Sequence, residues 1–132
     1  YAAPDDAFAA MYRFLRTNAH LFDGYRRQEL DVQAPEGLHC VARSSGESRP
    51  RVLHLVNTRY PTVDDRGHRR PRVQAIETAS LTLPGEFVGN VYEAALLRPG
   101  TEPGTLRVQH DGETARLDVP DPGHWALVVF DG

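Results

Sequence analysis

The chain has one cysteine, Cys40, and no lysine, so all 15 of its basic residues are arginines. A single cysteine excludes a disulfide within the chain, and its place in an alternating apolar segment predicts a buried, inert thiol rather than a nucleophile. The lack of lysine indicates a coding bias, as in a GC-rich genome, rather than a binding signal. The net charge of −3 is too small to indicate a polyanionic or polycationic partner.

Catalytic and metal-binding motifs are also missing. The six histidines lack the close spacing of metal ligands, and no serine lies in a GxSxG motif. We therefore predict no catalytic residue, no metal and no cofactor, and we expect neither nucleic acid nor a membrane as a partner. The sequence does not determine the cellular compartment of the protein, because a chain that begins at Tyr1 without methionine is typical of a processed or excised piece.

What the chain does have is a change in the period of its apolar residues. In residues 4–22 they recur every three or four positions, which predicts an amphipathic helix. From Leu30 to Phe130 they alternate in short runs broken by glycine, proline and aspartate, which is typical of antiparallel strands. The expected strands are residues 29–34, 37–43, 51–58, 73–83, 90–98, 105–110, 114–119 and 124–131.

These elements predict a mainly β fold, an antiparallel two-sheet sandwich of about eight short strands with one N-terminal amphipathic helix. The helix and a linker occupy residues 1–28 and the sandwich residues 29–132, as one compact unit. Asp111-Gly112 is the clearest hairpin turn, and Pro84-Gly85 is another expected turn. The alternation assigns the following residues to the core: Phe8, Met11, Leu15, Leu38, Cys40, Leu53, Leu55, Ile76, Leu81, Val91, Leu106, Val108, Leu117, Val119, Leu127 and Val129.

The sharpest cluster of positive charge, residues 66–72, lies in the one long loop, residues 60–71. Two aspartates offset its charge and few aromatic residues are near, so a solvated or interdomain loop is favoured over a nucleic-acid surface. Arginine suits such an interface because it pairs bidentately with carboxylates. Together with the apolar stripe of the helix, this predicts an interface that includes Phe8, Tyr12, Arg69 and Arg70.

Few aromatic residues are available to stack on a sugar. The only tryptophan, Trp125, lies in a run that is apolar on both faces, as in a central strand, and this favours a core position. Tyr60 and Tyr92 are freer candidates. If the chain binds carbohydrate, the binding residues are predicted to be Tyr60, Tyr92 and Trp125.

Several segments carry a resemblance to a known group of enzymes. Residues 11–22 resemble the closing helix of a (β/α)8 barrel, Arg51–Asn57 resembles the strand that opens the conserved part of an appended β-sandwich, and residues 91–99 resemble a strand leading into a turn. Residues 117–130 resemble the closing strand pair of that domain. The order is similar to the C-terminal end of multidomain glycoside hydrolases such as dextranase-like and β-galactosidase-like enzymes. Their catalytic carboxylates lie on the barrel, so the resemblance implies none in this chain.

The resemblance implies a non-catalytic accessory domain that packs against or orients a catalytic barrel of the same protein or of another subunit. Two alternatives stay open. A carbohydrate-binding module would have polysaccharide as a partner, and it requires a row of exposed aromatic side chains. A small stand-alone hydrolase or metal-binding protein requires at least three His, Asp or Glu side chains that converge in one pocket.

Overall fold

The computed structural model describes residues 4–46, 49–58 and 76–131, and for residues 4–8 it describes only the backbone. The predicted residues Tyr60, Arg69 and Arg70, and the side chain of Phe8, lie outside this description. The elements are α1 (Pro4–Thr17), a 3₁₀ helix (Ala19–Leu21), β1 (Arg26–Gln28), β2 (Leu38–Ser44), β3 (Arg51–Asn57), β4 (Thr78–Pro84), α2 (Gly85–Val88), β5 (Glu93–Leu97), β6 (Gly104–Arg107), β7 (Gln109–Asp111), β8 (Thr114–Pro120) and β9 (Trp125–Phe130).

The strands form two antiparallel sheets. The larger sheet has six strands in the order β1-β2-β3-β9-β5-β6, and the smaller has three in the order β4-β8-β7. Between β7 and β8, Asp111 pairs with Thr114, so the predicted hairpin is confirmed. The predicted mainly β, two-sheet antiparallel architecture with one N-terminal helix is confirmed as well.

The main core lies between the two sheets. In β8, buried Ala115, Leu117 and Val119 alternate with exposed Arg116 and Asp118, because successive side chains of a strand point to opposite faces. The small sheet therefore has one apolar face towards the core and one polar face towards solvent.

The large sheet is apolar on both faces. On β3, Leu53 and Leu55 belong to the core between the sheets, whereas Val52 belongs to a second cluster that includes Phe14 and Leu21 of the helical segment. The second cluster forms where the helical segment covers the outer face of the large sheet. A strand that is apolar on both faces must be covered on both sides to keep its side chains from water.

Most of the predicted core is confirmed. Cys40 is half-buried and packs against the main core, whereas the prediction of Met11 in the core is not confirmed, because Met11 is half-buried and belongs to neither core cluster. Leu127 and Val129 are buried, but in the cluster under the helix rather than between the sheets. The remaining confirmed core residues are Leu38, Leu53, Leu55, Ile76, Leu81, Val91, Leu106, Val108, Leu117 and Val119.

The helix turns a different face to the sheet than the one predicted. Phe14 is buried, whereas Leu15 is 41% exposed, so the prediction of Leu15 in the core is wrong. The reason is the packing of Phe14 edge-on against Trp125, with ring centroids 5.1 Å apart. One residue further along a helix points about 100° away, so Leu15 turns from the sheet. The α-helix also ends at Thr17, before the 3₁₀ helix, rather than continuing to residue 22.

The predicted strand at residues 29–34 is wrong. Within it the structure has one isolated bridge, from Gln33 to Thr82. The apolar residues alternate here for a different reason. Leu30, Val32 and Ala34 pack against the main core, although apart from that bridge the segment is not paired with a strand.

Two further boundaries differ from expectation. The predicted strand at residues 105–110 is two strands in different sheets, β6 and β7, which meet at buried Val108. Because Leu106 and Val108 both face the core, the alternation continues through the change of sheet. Pro84-Gly85 is not an isolated turn but the junction of β4 with α2.

Candidate functional site

Trp125 lies at the start of β9, under the helical segment. Its ring contacts Phe14 edge-on at 5.1 Å, stacks on His54 at 6.2 Å and 17°, and stands 6.1 Å from the ring of Phe22. These contacts fasten the helix to the large sheet and leave Trp125 half-buried. Its role in carbohydrate binding stays a prediction.

Two half-buried titratable groups are uncharged at neutral pH. Burial, with a smaller effect from the positive charge of Arg43, lowers the pKa of His54 to about 4. Burial raises the pKa of the Cys40 thiol to about 11, which agrees with the predicted inert cysteine. In residues 4–46, 49–58 and 76–131, no three His, Cys, Asp or Glu side chains are grouped so that they could hold a metal ion.

Tyr92 precedes β5 and presents its ring to solvent, with 67% of the residue exposed. The ring meets His110 edge-on, with centroids 4.9 Å apart. Nε2 of His110 donates a hydrogen bond to the Val91 carbonyl oxygen over 2.6 Å, which fixes the imidazole beside the tyrosine. Tyr92 is thus an exposed aromatic ring held beside an imidazole, and its role in carbohydrate binding stays a prediction.

His110 also lines a polar groove. It lies between α2, the β7–β8 hairpin and the segment before β2, and it has a volume of about 760 Å³. We call it the α2 groove. Its polar lining includes Asp31, Gln33, Glu86, Asn90, His110 and Glu113.

Backbone contacts shape the α2 groove. The amide of Gly85 donates to the Glu113 carbonyl oxygen over 2.7 Å, and a Cβ at position 85 would lie 3.0 Å from the same oxygen. Glycine therefore lets α2 approach the hairpin closely. Elsewhere in the lining, Gln33 and Thr82 exchange two backbone hydrogen bonds of 2.9 and 3.0 Å.

A second surface is the outer face of α1, formed by Met11, Tyr12 and Leu15. Tyr12 is 64% exposed, Leu15 is 41% exposed, and Met11 is half-buried. The guanidinium of Arg16 lies 5.8 Å from the centre of the Tyr12 ring. This face is apolar and flanked by positive charge, and among the described residues it is not covered by the sheet.

The structure separates the predicted carbohydrate residues that it describes. Tyr92 lies beside the α2 groove, whereas Trp125 lies under the helix on the large sheet. Of the predicted interface residues, Tyr12 is placed on the outer face of α1. Sequence reasoning missed the groove, whose polar residues come from separate segments. The available signal was the presence of glycine in the connections that line the groove, at Gly85, Gly89 and Gly112.

Comparison with known proteins gives a likeness of fold. No family model and no curated protein matches the chain. The fold of the chain is similar to part of a solved structure, a cycloisomaltooligosaccharide glucanotransferase from Paenibacillus sp. in complex with cycloisomaltoheptaose. The TM-score is 0.72 and the sequence identity is 13%. The alignment covers 91% of this chain and 20% of that chain. At this identity the likeness concerns the fold alone, and the chain spans about a fifth of the enzyme. No helix in the described ranges is long and apolar enough to span a membrane.

Proposed function

We propose that the chain is a non-catalytic accessory domain of a carbohydrate-active enzyme, and that it packs against a catalytic barrel of the same protein or of another subunit. The observation that carries this proposal is the likeness of 91% of the chain to a fifth of a glucanotransferase. A domain that makes up such a small share of a larger enzyme is suited to fixing the geometry of its neighbours.

The outer face of α1 is the contact surface in this proposal. Tyr12 and Leu15 are two of the three large hydrophobic residues that are exposed in the described chain, and they lie one helical turn apart. Apolar area that is removed from water contributes about 25 cal/mol per Å² to an interface, before the entropic cost of association is subtracted. The exposed Arg13 and Arg16 beside them can pair with carboxylates on the partner.

Hydrogen–deuterium exchange tests this role. The amide exchange of α1 is compared between the 132-residue chain and the full-length product of its gene. We expect slower exchange over residues 9–17 in the full-length product, because a covered helix opens less often. The strand β8, whose outer face is polar, serves as the internal control. Equal exchange of α1 in both proteins would contradict the packing role within one protein.

A second candidate function is carbohydrate binding, which the exposed ring of Tyr92 on its His110 support favours. Titration calorimetry of the chain against a panel of α- and β-glucans tests it. We expect heat of binding with at least one glucan, and no heat with any of them contradicts this second function. The packing role is unaffected by either result, because it concerns a different surface.

A further inference from the structure

We propose that the α2 groove is a binding site for a neutral oligosaccharide, with Tyr92 as the stacking residue at its His110 end. The inference rests on the second candidate function and adds to it a location and a ligand class. The groove lies outside the helix-facing cluster and away from Trp125.

The first argument is the supply of free hydrogen-bonding groups. The side chains of Asp31, Gln33, Glu86, Asn90 and Glu113 have no hydrogen-bond or ion-pair partner within the described part of the chain. Amides both donate and accept, and carboxylates accept from several hydroxyls. Such a set matches a sugar, whose hydroxyl groups also donate and accept.

The second argument is charge. Among the residues that the structure describes, three carboxylates and no arginine line the groove, so phosphates, sulfates and uronic acids are disfavoured there. The same acids do not make a cation site, because no three potential metal ligands are grouped together among the described residues. A ligand rich in hydroxyl groups and without charge fits this lining best.

The third argument is shape. A volume of about 760 Å³ lies within the usual range for small-ligand sites. Paired backbone groups of Gln33 and Thr82 hold one wall, and the bond from Gly85 to Glu113 holds α2 against the hairpin. Walls held by backbone hydrogen bonds lose little freedom on binding, so the groove is preorganised.

Tyr92 extends the groove. Its ring touches His110, which itself lines the groove, and the hydrogen bond from His110 to Val91 keeps the two rings together. A chain of sugar units that leaves the groove over His110 meets the exposed ring of Tyr92, whose apolar face suits the C–H surface of a pyranose.

An NMR titration of the chain locates the site. The probes are cycloisomaltoheptaose, linear isomaltoheptaose, maltoheptaose and cellohexaose, with oligogalacturonate as the anionic control. We expect one neutral probe to shift amide signals of residues 31–33, 85–92 and 110–114, and oligogalacturonate to shift none. Shifts that cluster around Trp125 instead overturn the groove and leave carbohydrate binding intact. No shift with any neutral probe overturns both.

Three single variants test individual residues. Asn90→Ala is expected to weaken binding about fivefold, as expected for one lost neutral hydrogen bond. Tyr92→Ala is expected to weaken it about tenfold. Tyr12→Ala is the matched control, because that tyrosine is similarly exposed and lies on α1. If Tyr92→Ala weakens binding and Asn90→Ala does not, the sugar binds at the tyrosine outside the groove and the proposal is wrong.

Discussion

His54 faces the helical segment from the middle of β3, where its ring contacts the rings of Phe22 and Trp125. Burial and the nearby charge of Arg43 lower its pKa to about 4, and within the described residues its buried Nε2 has no hydrogen-bond partner. The folded protein therefore disfavours the protonated imidazole, whereas the unfolded chain takes up the proton near pH 6.5.

This histidine predicts a pH-dependent stability. Above pH 6.5 its contribution to the free energy of unfolding is constant, and between pH 6.5 and 4 the free energy falls, because only the unfolded chain binds the proton. We expect a loss of roughly 1–2 kcal/mol, less than full linkage, since the ring is half-buried and partly screened. Urea unfolding of the wild type and of His54→Phe at several pH values checks this. Parallel pH profiles for the two proteins would show that His54 does not contribute.

Phe14 and Leu15 are neighbours in sequence with opposite surroundings. Phe14→Ala is expected to lower the free energy of unfolding by about 2–4 kcal/mol, because it removes a ring packed against Trp125. Leu15→Ala, the matched control, is expected to change it by less than about 0.5 kcal/mol, because the side chain is exposed. Chemical denaturation followed by circular dichroism measures both. Similar losses for the two variants contradict the observed rotation of α1.

Among the elements, α2 depends on contact with the β7–β8 hairpin rather than on its own length of four residues. Phe87 and Val88 anchor it in the main core, and the amide of Gly85 bonds to the hairpin. A single helical turn has little stability of its own, so these tertiary contacts decide its place.

Gly85→Ala tests this junction. A Cβ 3.0 Å from the backbone oxygen of Glu113 forces α2 and the hairpin apart, and we expect a loss of about 1–3 kcal/mol in the free energy of unfolding. Gly104→Ala is the control, since the nearest atom to its Cβ is at 3.9 Å. Thermal unfolding of both variants provides the comparison. If Gly85→Ala is as stable as Gly104→Ala, the close approach is not a constraint.

The alternation of apolar residues predicted the existence of most strands but not their sheet. In β8 the alternation is strict and the predicted element is confirmed. Through Val108 the alternation continues while the chain moves from one sheet to the other, so a period of two could not reveal the break. The groove could not be predicted, because Asp31, Asn90 and Glu113 belong to segments that only the tertiary fold brings together.

At the scale of the whole molecule, three layers are stacked: the small sheet, the large sheet and the helical segment. Tyr12 and Leu15, on the outer face of α1, do not contribute to the packing of these layers, because both are exposed. A fourth layer supplied by a larger protein is what the proposed accessory role adds.

The variant Leu15→Glu distinguishes a contact role of the outer face of α1 from the general effect of an added surface charge. In the 132-residue chain we expect a change below about 0.5 kcal/mol in the free energy of unfolding, because the residue is exposed. In the full-length gene product we expect α1 to exchange its amides faster, since a charge is placed in an apolar contact. Tyr92→Glu is the control for an added charge elsewhere. Unchanged exchange of α1 in the full-length Leu15→Glu protein argues against the outer face of α1 as the contact.

The sequence by itself determined the class of fold. Apolar residues with a period of two form one face of a strand, and apolar residues with a period near 3.6 form one face of a helix. It also determined that Cys40 is alone and that the charge is nearly balanced. Only the tertiary structure decided which face of α1 meets the sheet and where the polar groups gather. Those outcomes depend on contacts such as Phe14 with Trp125 and Gly85 with Glu113, which join residues far apart in the chain.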